Sequence, residues 1–147
     1  YQAQFNGRLS AGIAEGLLPL CLLRAQVKKR VSALHNTELL TILNARGITH
    51  LVIAGTPSNA QCTAAHVSLV DTCGVISIRA VLYSKGLRTG GAVLSTVRAA
   101  ADLDFTITVV SDLCADTDAK IHSTCMENIF PIQAAVVQAA SLPQVLS

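Results

Sequence analysis

The 147-residue sequence predicts an α/β fold built on a mostly parallel sheet, and three observations lead there. From Asn36 onward, segments with helical spacing alternate with short apolar runs, the rhythm of parallel crossover units. The run Ile48 to Ala54 is mostly apolar, of the kind that becomes a strand buried on both faces. The composition is 51% hydrophobic and only 14% charged, with a mean hydropathy of +0.50, whereas an ordinary soluble domain carries about 25% charged residues.

The elements follow in order. Asn36 or Thr37 caps a helix whose apolar residues Leu39, Leu40, Ile42, Leu43 and Ala45 fall near helical spacing, and Gly47 is placed to stop it. Ile48 to Ala54 is a buried strand ended by Gly55. A second helix is expected over Ala92 to Asp102, with Val93, Val97 and Ala101 stacked at i, i+4 spacing. Phe105 to Val110 is β-branched and reads as the next strand. Thr117 caps a third helix running to about Ile129, which Pro131 helps to end. Ala134 to Val137 is a short last strand.

Two segments depart from this rhythm. Residues 1–27 hold Gly7, Gly12, Gly16 and Pro19 among leucines without clear caps. Residues 56–85 separate a strand from its helix by far more than the ~2–6 residues usual in a crossover unit. Within that segment Val75 to Tyr83 has the character of a strand.

Composition and charge exclude several classes. Disorder requires low hydrophobicity and high charge, the reverse of this chain. Residues 47–70 lack acids, Lys and Arg, but His50, Pro57, Asn59, Gln61 and His66 are not tolerated together in a ~20-residue apolar span, so no membrane partner is expected. The net charge of +2 divides unevenly: ten Lys/Arg against three acids in residues 1–98, and one Lys against six acids in 99–147. The single basic cluster, Lys28-Lys29-Arg30, has no aromatic platform beside it, and aromatics make up 3% of the chain. Single-strand binding needs stacking surfaces, so no nucleic-acid partner is expected either. Cys21, Cys62, Cys73, Cys114 and Cys125 form no CxxC pair, and the four histidines are scattered. That is not the short-spaced ligand pattern of a metal site, nor a disulfide framework. A reducing, cytoplasmic compartment with buried thiols is expected.

With residues 56–85 set aside, Leu51-Val-Ile-Ala-Gly55 joins Leu87-Arg-Thr-Gly-Gly-Ala-Val-Leu-Ser-Thr-Val-Arg-Ala-Ala-Ala-Asp-Leu-Asp104. So joined, the chain resembles the isochorismatase-like hydrolase family, in which an apolar strand ends in Gly and runs through a Thr-containing loop into the helix bearing the reactive position. The resemblance extends through Val109-Val-Ser-Asp-Leu-Cys-Ala-Asp116, His122 and Asn128-Ile-Phe-Pro131, and upstream through Lys28 to Ala33, Thr37 and Leu39. It implies a three-layer α/β/α fold, with a site at the C-terminal ends of the strands, as is general for such sheets. It also implies a small-molecule substrate of the vinyl-ether or amide class, no metal or organic cofactor, and a homo-oligomeric partner.

Cysteine hydrolases of that family use an Asp, a Lys and a Cys. A thiolate at a helix N-terminus is stabilised by the dipole, the Asp serves as base or acid, and the Lys supplies fixed positive charge. By resemblance Lys28, four residues before Ser32, is the family's Lys, although with Lys29 and Arg30 it also reads as an ordinary basic loop. Ala92, six residues after Gly86, stands at the Cys position and is not reactive. No strand ending in Asp precedes Lys28. The resemblance is therefore to an incomplete domain, truncated at its N-terminus. Members acting on isochorismate resemble this chain in lacking the Cys, because vinyl-ether cleavage needs a proton rather than a covalent intermediate. The resemblance thus implies an impaired hydrolase, with a non-catalytic remnant or oligomer-forming subunit as the alternative.

Thr89, Gly90 and Gly91 at a helix start are candidates to bind a substrate carboxylate through free N–H groups, with plain turn chemistry the competing reading. An earlier window, Gly55 to Cys62, carries a similar loop with a thiol, but its spacing is one residue longer. The later window continues in register through Thr96, Ala100 and Asp112 and is preferred. Asp112 reads as a cap rather than an acid catalyst, His122 as structural, and Cys114 and Cys125 as buried and inert. Residues 56–85 read as an insertion within one motif. A translated intron accounts for it, as does a true insertion forming a lid or an extra edge strand.

Overall fold

The computed structural model describes residues 24–27, 30–56, 64–70, 79–85, 88–142 and 144. The first strand, β1 (Arg24–Val27), is followed by turns over residues 30–38 that dock into the core, with Ala33 and Leu34 buried. These turns explain why the first helix starts later than its sequence suggests. Thr37 Oγ1 donates to Ala33 O at 2.8 Å instead of capping, and Asn36 takes a positive φ of 53°. Glu38 is the N-cap, without a side-chain bond, of α1 (Leu39–Ala45). Leu39 and Leu43, one turn apart, are fully buried, and burying each contributes ~1.5–3 kcal/mol. Gly47 does stop the helix: at φ +65° it lets its own N–H reach Asn44 O and the Ile48 N–H reach Leu43 O, the pairing of a Schellman C-cap.

Four strands run parallel side by side: β2 (His50–Thr56), β4 (Arg79–Lys85), β5 (Thr106–Cys114) and β6 (Ala135–Val137). β3 (Ala64–Val70) is antiparallel to β4 and to β1, and the sheet order is β1-β3-β4-β2-β5-β6. The α/β class with a mostly parallel sheet, read from the sequence, holds. β3 and β4 both come from the segment read as an insertion, and neither lies at the edge. β4 sits inside the sheet, paired with β2 from His50↔Arg79 to Thr56↔Lys85.

The periodicity of two in β2 divides its side chains between the faces. Leu51 and Ile53 join Ile107 and Val109 beneath the helices, where Leu39, Leu43, Val93, Val97, Ala100, Met126 and Phe130 complete the main core. Val52 and Val110 point to the other face and pack with Leu142. Residues 107–110 of β5 are buried without a break, as a strand covered on both faces should be. β5 runs four residues beyond its expected end. Its ladder with β2 jumps from Ile53↔Val109 to Gly55↔Cys114, and this irregularity accommodates Ser111 and Asp112, which turn toward the end of β6.

The second helical segment opens as a wide π turn, Thr89–Val93, and continues as α2 (Leu94–Ala101). The third, α3 (Ala119–Thr124), is capped by Asp118, whose side chain accepts from Lys120 N–H at 2.8 Å and Ile121 N–H at 3.4 Å. The expected cap was Thr117. Asp118 prevails because Thr117 is itself held by Asp116. The chain then continues through a π turn over Cys125–Ile129 and a 3-10 turn over Phe130–Ile132 that contains Pro131.

Candidate functional site

The turn Thr89–Gly91 sits at the C-terminal ends of β2 and β5. Thr89 N–H donates to Ala115 O at 3.1 Å, and Ala115 N–H donates to Gly55 O at 3.1 Å. This is the end of a parallel sheet where ligands bind. Thr89 is fully buried, and its Oγ1 lies 2.9 Å from His122 Nδ1, so the imidazole satisfies the hydroxyl in either tautomer. His122 therefore fills the structural role its position in the sequence suggests.

Gly90 donates its N–H to Asp116 Oδ2 at 2.8 Å, and Gly91 N–H bonds Arg88 O at 3.0 Å. The expectation that Thr89, Gly90 and Gly91 offer free N–H groups is corrected here. All three donate within the protein, and the anion that meets Gly90 is the chain's own Asp116. Gly90 also permits close approach, because a Cβ there would collide with Ile121 Cγ2.

Ala92 is 7% exposed, its methyl packed in the main core. Its carbonyl accepts from Thr96 Oγ1 at 2.7 Å, and that oxygen in turn accepts from Ala33 N–H at 3.1 Å. The turns downstream of Lys28 are thereby tied to α2 and to the π turn that carries position 92. Lys28 itself, like Cys62, lies outside the described residues.

Among the described residues, neither Cys114 nor Cys125 is placed as a replacement nucleophile. Cys114 is buried and its thiol is pushed up to about 12: burial raises it most, a backbone hydrogen bond with Gly55 opposes this, and the Asp112 charge adds a smaller upward push. Cys125 is also raised, by burial and then by Asp116, with Arg98 opposing. Both thiols are buried, as the sequence suggests, and burial disfavours the thiolate that reactivity needs. Asp112 is a cap as expected: its Oδ1 accepts from Ala139 N–H at 2.8 Å.

Asp116 was not singled out in the sequence, although a strand end followed by Ala-Asp-Thr-Asp is an Asx-turn signal. Burial pushes its carboxyl upward, but hydrogen bonds from Gly90, Asp118 and Thr117 outweigh this and hold it below the ordinary value. Between the turn and α3 lies a cavity of about 320 Å³, lined by Gly90, Leu94, Ile121, Thr124, Cys125 and Ile129, with Asp118 and Lys120 also on its wall. Among the described residues, no three His, Cys, Asp or Glu converge as metal ligands, and no helix is long and apolar enough to cross a membrane.

Comparison with known proteins agrees with this architecture. The isochorismatase domain model matches residues 77–141. An isochorismatase-like hydrolase from Alkaliphilus metalliredigens superposes with a TM-score of 0.58 at 19% identity, over 83% of this chain and 50% of that one. An isochorismatase family protein from Desulfovibrio vulgaris gives 0.56 at 19%, over 82% and 47%. One from Burkholderia thailandensis gives 0.55 at 23%, over 78% and 44%. The chain thus spans about half the length of the solved structures it resembles. No curated protein matches it. The resemblance holds at the level of fold: residues 77–141 match the isochorismatase domain model, and the chain is similar in its α/β fold to isochorismatase-like hydrolases.

Proposed function

We propose that the chain is an isochorismatase-like hydrolase of small-molecule vinyl ethers or amides, working in the cytoplasm without metal or organic cofactor, and catalytically impaired. The observation that carries this reading is Ala92. Where the family's cysteine hydrolases place a thiol, this chain has a buried methyl, and the buried Cys114 and Cys125 are held protonated. A thioester route is closed at that position. Vinyl-ether cleavage, which needs a proton and no covalent intermediate, remains open to Lys28 and an acid.

A specific observation favours a second reading, a non-catalytic remnant or oligomer-forming subunit of the same fold. The N–H groups of Thr89, Gly90 and Gly91 are already used internally, which leaves a substrate carboxylate fewer donors. One assay separates the two readings. Purified chain is offered isochorismate and nicotinamide, as a vinyl ether and an amide. The hydrolase reading expects slow cleavage of at least one of the two, the vinyl ether first because it needs no thiol, and its loss in Lys28→Ala. A folded circular-dichroism spectrum with no turnover of either establishes the second reading. For residues 56–85 we propose a translated-intron origin, with a true insertion as the rival that the domain match over residues 77–85 favours for that part. A transcript retaining those codons as the dominant form refutes the intron origin.

A further inference from the structure

We infer that Asp116 is a positioning residue, whose two carboxylate oxygens clamp the turn carrying position 92 to the start of α3. The inference rests on reading residue 92 as the family's reactive position. Asp116 divides its oxygens between two elements. Oδ2 accepts from Gly90 N–H at 2.8 Å, on the turn. Oδ1 accepts from Thr117 N–H at 2.7 Å, Thr117 Oγ1 at 3.3 Å and Asp118 N–H at 3.4 Å, at the approach to α3. Bonds of this kind to an ionised acceptor are roughly twice as strong as neutral ones.

A second tie joins the same two elements, from Thr89 Oγ1 to His122 Nδ1. The absence of a Cβ at Gly90 lets Ile121 close directly on the turn. The cavity lies between the clamped parts, with Cys125 in its wall and only 2% exposed. The clamp therefore sets both the path of the backbone into position 92 and the width of the opening that leads to Cys125. Nothing else among the described side chains is bonded to both the turn and the cap residues of α3 in this way.

The test uses the full chain labelled with ¹⁵N, with Asp116→Ala and Asp116→Asn beside it. Amide exchange at Gly90 and alkylation of Cys125 by iodoacetamide are the readouts. Asp116→Ala is expected to speed Gly90 exchange and Cys125 alkylation by roughly tenfold, the factor that loss of one hydrogen bond to a charged group implies for local opening. Asp116→Asn, which keeps an accepting oxygen, is expected to restore most of the protection while moving the Gly90 amide proton upfield. Unchanged exchange at Gly90 in a folded Asp116→Ala chain overturns the inference. If Asp116→Ala does not fold, Asp116→Asn decides alone, and an unmoved Gly90 resonance overturns it. Neither readout needs turnover, so a chain without hydrolase activity leaves the test intact.

Discussion

The backbone N–H of Ala33 donates to Thr96 Oγ1 at 3.1 Å, across 63 residues of sequence. Ala33 is 2% exposed and Thr96 1%, so no water replaces the bond if the hydroxyl is lost. Thr96→Val keeps the shape and orphans a buried donor, a change that costs about 1–3 kcal/mol. Urea unfolding is expected to show a lower midpoint at unchanged slope, with Thr96→Ser close to the parent. A Val variant as stable as the parent contradicts the tie.

The contact between Gly90 and Ile121 gives a prediction of opposite sense. Gly90→Ala drives a methyl into Ile121 Cγ2, and overpacking of this kind costs about 1–3 kcal/mol. Ile121→Ala removes the obstruction, so the same Gly90→Ala change made in that background should cost far less. A double-mutant cycle measures the difference, and strictly additive effects refute the contact.

Acid should weaken the fold through Asp116. Its carboxyl is lowered from the ordinary 3.8 in the folded chain, so the folded state resists protonation more than the unfolded one. Its contribution is complete at pH values well above 3.8 and is lost as pH falls through the lowered folded value. Stability followed by urea titration at several pH values should therefore decline on the acid side less steeply in Asp116→Asn than in the parent. An identical acid limb in both would sink the assignment.

Cys114 behaves in the reverse direction. Burial holds its thiol at about 12 in the folded chain against 9.0 for a free thiol. Its contribution is fully present below 9.0 and is lost as pH rises toward 12, because only the unfolded chain ionises readily in that window. At pH 8 the native Cys114 is expected to resist alkylation and to label only after unfolding. Mass spectrometry of the peptide containing Cys114 reads this directly, and rapid native labelling refutes it.

What the sequence conveyed depended on how local the cause was. The stripe of Leu39 and Leu43, the stop at Gly47, the β-branched run of β5 and the short last strand all follow from nearest-neighbour chemistry, and they appear where expected. The start of α1 was misplaced because Thr37 is drawn back to Ala33 O, within turns held by the distant Thr96. The cap of α3 moved from Thr117 to Asp118 because Asp116 holds Thr117. At the site, the buried sulfurs and the capping role of Asp112 were legible from residue type and position. The occupied N–H groups of Thr89 and Gly90 were not, since their acceptors, Ala115 and Asp116, lie 26 residues on in the chain.

The place of β2 in the sheet has a consequence for solubility. His50–Thr56 is bonded along its length by β4 on one side and meets β5 on the other. A shortened chain lacking residues 56–85 would lack β4, and one side of β2 would become an open row of N–H and C=O groups. Such a row recruits any passing strand, which makes it a route to self-association or aggregation. The segment that the sequence reads as an insertion thus supplies the strand that shields β2.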